Sequence, residues 1–472
     1  MSLQTEPSVG APQAASFRRP ALILAVLALA TFLAQLDVWI SNVGLPSIGR
    51  GVHSSSLSDL SWVLSGYAII YAALLVPAGR LVDRYGRKGG FIIGLAIFAA
   101  ASLGDGLSGN IWVLVGFRAI QALGAAILTP ASLGLVLATA PPGLAERNVK
   151  IWLTAGALSA TCGPILGGIL VKASWRWLFL INIPVVIIAV GLALILVPNV
   201  RHVEDERIPD LLGGLLIIMA IGGLALGVVK GSDWGWSNGR VIAAFAVAVI
   251  ATISFVVRSS RHPVPVIDLN LFRSRIFGSA NLADVLGFAN FAMLLLGGIL
   301  WLQGHWHYSA IRTGFAMAPG PVTFAIFAGV GETLQQTARV PTRVITSVGY
   351  VIAAIGTVLF VVLTKDNTGY AGGFLPAWLV VGAGVGLAMP LTISSATAEL
   401  PPAQAATGSA IVTMATQIGS VIGISLLVAL LGAASATAAL SDFHHAWWVG
   451  VGLALAAALT SLGISKPLAV TS

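Results

Sequence analysis

Charge is what this sequence has least of. Asp, Glu, Lys and Arg make up 9% of its 472 residues, where an ordinary soluble domain carries about 25%. With 57% apolar residues and a mean hydropathy of +0.94, that shortage excludes a water-facing surface of normal composition. The chain reads as a polytopic membrane protein. Cysteine is reduced to Cys162 alone, so no intrachain disulfide is possible. An H-E-x-x-H zinc-protease motif is absent, and so is the G-x4-G-K-[ST] loop of an ATP-driven pump. A G-x-G-D aspartyl site fails because residue 102 is Ser102. No filter-like segment suggests a channel. His305, His307, His444 and His445 form pairs without a cysteine, a minimal spacing that reads as surface histidine rather than a metal site. No enzyme, metal or bound cofactor is expected.

What is present is a series of long apolar runs. A membrane helix needs about 20 such residues. Runs start near residues 21, 59, 89, 111, 149, 178, 211, 240, 278, 312, 342, 372, 406 and 446. Residues 1–20 read as a disordered, polar N-terminus. The run from 21 to 42 is too long for a signal peptide and lacks a cleavage site. The net charge of +8 would suit nucleic acid, but the cations sit in short loops beside the spans, as topology determinants do. Most of them fall on one side, including Arg18, Arg19, Arg80, Arg84, Arg87, Lys88, Arg147 and Lys150. That asymmetry puts both termini in the cytoplasm.

Four positions carry chemistry beyond span formation. Residues 79–88 read Gly79-Arg80-Leu81-Val82-Asp83-Arg84-Tyr85-Gly86-Arg87-Lys88. Two glycines permit a tight reversal there, and cations around one carboxylate offer a breakable ion pair. Asp37 lies inside the first run, where an ionisable group costs about 2.5–3.5 kcal/mol and needs a partner, water or a proton. Arg118 lies inside the fourth run and, as a permanent cation, must face the bundle interior and find an acceptor. In the fifth run, Gly156, Gly163, Gly167 and Gly168 surround Pro164; the glycines allow close helix approach and the proline kinks the helix. Asp105 and Glu399, near span ends, read as solvated.

These stretches resemble the major facilitator superfamily. The charged segment, with Gly79, Asp83, Arg84, Gly86, Arg87 and Lys88, resembles that family's signature loop between its second and third helices. The segment from Leu36 to Pro46 resembles the first-helix motif of the fourteen-helix drug:proton antiporter branch and carries that branch's aspartate. The stretch from Phe117 to Ala126 resembles the fourth-helix motif, whose arginine is linked to proton transfer. The glycines around Pro164 resemble the antiporter motif of exporters. Trp175-Arg176-Trp177-Leu178-Phe179-Leu180-Ile181-Asn182-Ile183-Pro184 is a further mark of the branch. So are Trp301-Leu302-Gln303 with Ala318-Pro319-Gly320, and Gln417-Ile418-Gly419 with Gly423.

The resemblance implies an all-α polytopic fold. An N-terminal six-helix bundle would cover 21–198. A linker with two extra transmembrane helices would cover 199–275, a C-terminal six-helix bundle 276–465, and a cytoplasmic tail 466–472. It implies a proton-coupled antiporter that exports lipophilic, cationic drugs by alternating access across the bacterial cytoplasmic membrane. The alternative is export of a lipid, siderophore or self-made antibiotic. The energy source would be the proton gradient, with no cofactor, and the protein would be a monomer. Asp37, Arg118 and Asp284 would couple protons, Asp37 and Asp284 flanking one cavity. Trp62, Tyr67, Gln121, Met293, Trp301 and Gln303 are candidate substrate contacts. The second-bundle copy of the charged loop, from Gly331 and Glu332 to Arg339 and Arg343, departs from the motif; Glu332 would be its acidic partner.

Overall fold

The computed structural model describes residues 19–199, 210–366, 369–398, 400, 402–432 and 439–464, with the side chains of 402–407 excepted. Glu399 and the tail 466–472 lie outside the described residues, as do Arg18 and most of residues 201–210. Among the described residues, fourteen helices are long and apolar enough to cross a membrane. They are α1 (Pro20–Gly51), α2 (Leu57–Tyr85), α3 (Arg87–Leu107), α4 (Ile111–Thr139), α5 (Ala145–Ala173), α6 (Trp177–Leu196) and α7 (Leu211–Trp234). Then come α8 (Gly239–Arg261), α9 (Arg275–His305), α10 (Ala310–Gln336), α11 (Thr342–Leu363), α12 (Tyr370–Ala398), α13 (Gly408–Leu431) and α14 (Leu440–Ser461).

Short polar residues set many helix starts, because the first amides of a helix lack partners inside it. Ser56 accepts from the amide of Asp59 at α2, and Asn110 accepts from Trp112 and Val113 at α4. Asp210, Asn238, Ser274 and Ser309 do the same for α7, α8, α9 and α10. Proline interrupts several spans without ending them. The first helix runs on through Pro46 to Gly51, well past residue 42, because neighbouring helices can re-satisfy the freed backbone groups.

The charged segment differs from the expected loop. Residues 79–85 are the last turns of α2, and Gly86 alone separates α2 from α3. Only Gly86 takes a positive φ, +116°, so the reversal needs one glycine, not two. Gly79 lies within α2, where an added Cβ would sit 3.3 Å from Pro130 Cβ. Its smallness serves the approach of α2 to α4.

The helices α1 to α6 pack on one another, and so do α9 to α14. Between these groups α7 and α8 pair, and α7 lies against both α2 and α13. Lys230 on α7 fixes that contact: its ammonium donates to Asp59 at 2.6 Å, Asp233 at 3.1 Å and Ser58 at 3.3 Å. The groups meet along α2 and α13, and again where α5 crosses α10. The α5 contact falls mainly on residues 310–317, at the end of the molecule that carries the α1–α2 turn. There Gly168 lies against the backbone of Ala310 and Ile311, and Gly314 against that of Pro164 and Ile165. Gln303 donates to the carbonyl of Val43 at 3.0 Å, a further link from α9 to α1 at that end.

Candidate functional site

Four helices bring polar groups into the apolar interior of the first half. Asp37 on α1 is fully buried. Its Oδ2 accepts from Arg118 Nη1 on α4. Its Oδ1 accepts from Gln121 Nε2 at 3.0 Å and from Asn182 Nδ2, on α6, at 2.8 Å. Both amides also donate to Ser102 Oγ on α3, at 2.8 and 3.2 Å. The carboxylate is thus held by one cation and two neutral donors, which a buried charge requires.

Arg118 is equally enclosed. Its Nε donates to the carbonyl of Val63 at 3.1 Å, and Nη1 also donates to Gln121 Oε1. The guanidinium lies 4.4 Å from the ring centre of Tyr67 and 5.6 Å from that of Phe179. Aromatic faces stabilise a desolvated cation by about 2 kcal/mol.

Three members of this site escaped the sequence reading. Ser102 and Asn182 are neutral and sit in apolar runs, so no cost argument singles them out. From the sequence Asp105, two residues from the end of α3, reads as solvated. It is instead fully buried, and neither carboxyl oxygen has a hydrogen-bond partner among the described residues. The packing of α4 and α6 over α3 encloses it, and no local sequence pattern reports that.

The other expected residues divide. Tyr67 and Gln121 belong to the Asp37 cluster. Trp62 is half-buried beside Ala225 on α7 and Val421 on α13. Trp301 is fully buried among aromatics, stacked on His305 at 4.0 Å and edge-on to Phe443 at 5.1 Å. Met293 is fully buried beside Gly450, and Gln303 is half-buried on Val43. Asp284 is fully buried on α9 with both oxygens unpartnered among the described residues. Its surroundings belong to the second half: Tyr350 packs on α9 at Gly287, within a buried cluster with Ala283, Ala388 and Ala457.

At the α2–α3 turn, Arg87 Nε pairs with Asp83 Oδ1 at 2.8 Å, and Arg87 Nη1 donates to the carbonyl of Gly134 at 3.1 Å. Lys88 donates to the carbonyl of Leu194 at 3.0 Å. Arg84 lies exposed over Tyr85. The turn therefore fastens α4 and α6 at this end. On α5, Gly156, Gly163 and Gly167 face α1, while Gly168 faces α10. Glu332 is exposed and accepts from Gln336 at 2.9 Å. His305 pairs with Asp366 at 2.9 Å. No group of three or more metal-ligating side chains occurs among the described residues.

Residues 27–424 match the Major Facilitator Superfamily. The chain belongs to that family. This facilitator is 30% identical to the tetracenomycin C resistance and export protein of Streptomyces glaucescens, over 91% of its own length and 80% of that protein's. It is 32% identical to multidrug resistance protein Stp of Mycobacterium tuberculosis, strain CDC 1551 / Oshkosh, over 88% and 76% of the two chains. The fold matches the crystal structure of the POT family transporter PepTSo with a TM-score of 0.70, at 13% identity, over 94% and 97% of the chains. The facilitator is therefore a multi-pass membrane transporter and not an enzyme.

Proposed function

We propose that this facilitator exports lipophilic cationic compounds in exchange for protons. The observation that carries the reading is the buried Asp37–Arg118 pair. A proton arriving on Asp37 converts a carboxylate into an acid and leaves Arg118 without its counter-ion. Breaking a buried pair costs roughly 3–5 kcal/mol. A proton crossing a membrane releases about 2.3 kcal/mol per 100 mV, so the two energies are comparable. The helices that hold the pair, α1 and α4, can then settle into a second arrangement in which Arg118 finds another acceptor. A substrate cation competes with the proton for the same carboxylate, which is the basis of exchange.

The names of the relatives support a drug or antibiotic as cargo. The cation distribution supports an orientation with both termini in the cytoplasm and the α1–α2 end outside. On that orientation the crossing of α5 over α10 closes the outer end here. Two six-helix bundles, 21–198 and 276–465, would rock about this crossing, with the pair at 199–275 as a passenger fixed by Lys230. Asp284 would be the second half's proton or cation site. Since one relative is named for resistance to and export of tetracenomycin C, export of a single antibiotic is the second reading.

The test uses proteoliposomes with an imposed pH gradient and ethidium as the cation, comparing wild type with Asp37→Asn and Asp284→Asn. Gradient-driven transport in the wild type that disappears in Asp37→Asn supports antiport. Folded wild-type protein that moves no ethidium refutes the cationic-drug reading and leaves the single-compound one.

A further inference from the structure

The Arg118 pocket holds a second carboxyl that the exchange just described does not use. Asp105 lies on α3 one helical turn past Ser102, the hydroxyl that joins Gln121 and Asn182 to the Asp37 cluster. At 1.5 Å rise per residue, it sits roughly 4.5 Å nearer the α1–α2 end. Its neighbour Gly104 packs on the side chain of Phe117, so in the antiparallel α3–α4 pair Asp105 lies roughly 3 Å in height from Arg118. Arg118 and Asp37, together with Tyr67 on α2, are the ionisable groups within its electrostatic reach. From the α5–α6 connection the nearest charge is Arg176, which donates to the carbonyl of Ser108 at 3.5 Å.

The charge balance of this pocket is the decisive point. One guanidinium neutralises one carboxylate, and a second ionised carboxylate in a desolvated site costs several kcal/mol. The unpartnered oxygens of Asp105 show that Arg118 is committed to Asp37 in this arrangement. The pocket is neutral when Asp105 holds a proton.

We propose that Asp105 is the entry-side proton carrier of a two-carboxyl relay in which Arg118 exchanges between Asp37 and Asp105. This rests on the proton-coupled reading and adds the route. A proton from the α1–α2 end loads Asp105, which lies two residues from the end of its helix. The O–H bond of Asp105 then breaks as an O–H bond on Asp37 forms, with water as the carrier. Arg118 moves from the neutralised Asp37 to the new carboxylate on Asp105. When the other end opens, Asp37 releases its proton there and Arg118 returns. One proton crosses per cycle; the pocket is neutral with the proton on either carboxyl, and it carries one negative charge between release from Asp37 and reloading of Asp105.

The experiment has two readouts. Infrared spectra of the reconstituted protein at neutral pH report the carbonyl stretch of protonated carboxylic acids. That band should weaken in Asp105→Asn, and weaken equally when Asp284→Asn is already present. An unchanged band overturns the proposal. The second readout is ethidium transport. Asp105→Asn should slow pH-gradient-driven transport at least about tenfold, within the range of a lost proton-transfer group, and by more than it slows gradient-free substrate counterflow. Asp105→Glu should restore the driven rate. Driven transport at the wild-type rate in Asp105→Asn overturns the relay. Wild-type protein that transports without moving protons instead overturns the antiport reading, and the infrared band still decides whether Asp105 is protonated. Since asparagine mimics a neutral acid, Asp105→Asn should unfold at the wild-type temperature; a large drop would show an ionised, structural Asp105 and refute the proposal.

Discussion

Gly168→Ala should open the molecule at the α1–α2 end. A Cβ at Gly168 would lie 2.5 Å from the carbonyl oxygen of Ala310, 2.8 Å from Ile311 Cα and 2.9 Å from the Ala310 carbonyl carbon. All three atoms are backbone, so no rotamer change relieves the contact. The α5–α10 crossing must widen instead. Overpacking a close contact by one methyl costs typically 1–3 kcal/mol. That cost falls on the arrangement in which α5 and α10 touch and not on one in which they have parted. A differential of 1–3 kcal/mol moves a two-state population roughly 5–150-fold, so the closed-end population should fall sharply. The assay is electron–electron double resonance in liposomes, with spin labels replacing the exposed Lys172 and Lys365 in a Cys162→Ala background. Gly168→Ala should shift weight toward the longer distance, and Gly314→Ala, at the reciprocal contact with Pro164, should do the same. Unchanged distance distributions in both variants would refute the view that this crossing is the moving contact.

Other consequences are simpler to state. Arg118→Met keeps apolar volume but strands Asp37 among neutral donors. A loss of roughly 3–5 kcal/mol of stability is expected, read as a lowered melting temperature in detergent. Gly86→Ala forces a side chain onto φ +116° and should cost about 1–3 kcal/mol; an unchanged melting temperature would show that the turn relaxes freely. Lys230→Met removes the donor shared by Ser58, Asp59 and Asp233. The loss of its charged hydrogen bonds should weaken the α7–α2 contact by about 1.5–3 kcal/mol, seen as faster amide exchange in α7 than in α2.

The spans were legible because lipid selects long apolar runs whatever the tertiary structure. Most starts fall within three residues of those read from hydropathy. The exceptions are instructive. The last span begins at Leu440 instead of near 446, because Phe443, His444 and Trp447 mix polar and aromatic character at a helix start that packing, not hydropathy, extends. Gly79 looked like a loop residue from its charged surroundings, yet the α-helix continues through it because α4 receives its bare face. Asp37 and Arg118 were legible because an ionised group in an apolar run carries a cost that only function or a partner offsets. Asp105 carries the same cost and was misread, since its distance from the helix end suggested water. Which side chains an interior helix end is packed beneath is a tertiary fact, and α4 and α6 supply it from residues far along the chain.

The two halves also treat the same place in the fold differently. In the second half, Asn290 on α9 donates to Thr357 on α11 at 3.3 Å and to the carbonyl of Gly450 on α14 at 2.9 Å. These helices correspond in order to α1, α3 and α6, which hold Asp37, Ser102 and Asn182. The second half therefore has a neutral network where the first has an ion pair, and a neutral network does not change its charge when a proton arrives. Its one buried carboxyl among the described residues, Asp284, lies six residues before Asn290, roughly 9 Å along the helix toward the opposite end. On the proposed exchange the charged rearrangement around Arg118 involves α1, α3 and α4, all in the first half. The second half responds through the contacts between the halves, among them α5 with α10, α2 with α13, Trp39 with Phe291, and Gln303 with Val43. That makes Gln303→Leu informative. It leaves every titratable group in place, so proton binding to Asp37 should persist while the hydrogen-bonded link from α1 to α9 is cut. Proton release triggered by substrate should remain near the wild-type amplitude as driven transport falls. Equal loss of both would show that Gln303 acts on the proton site itself.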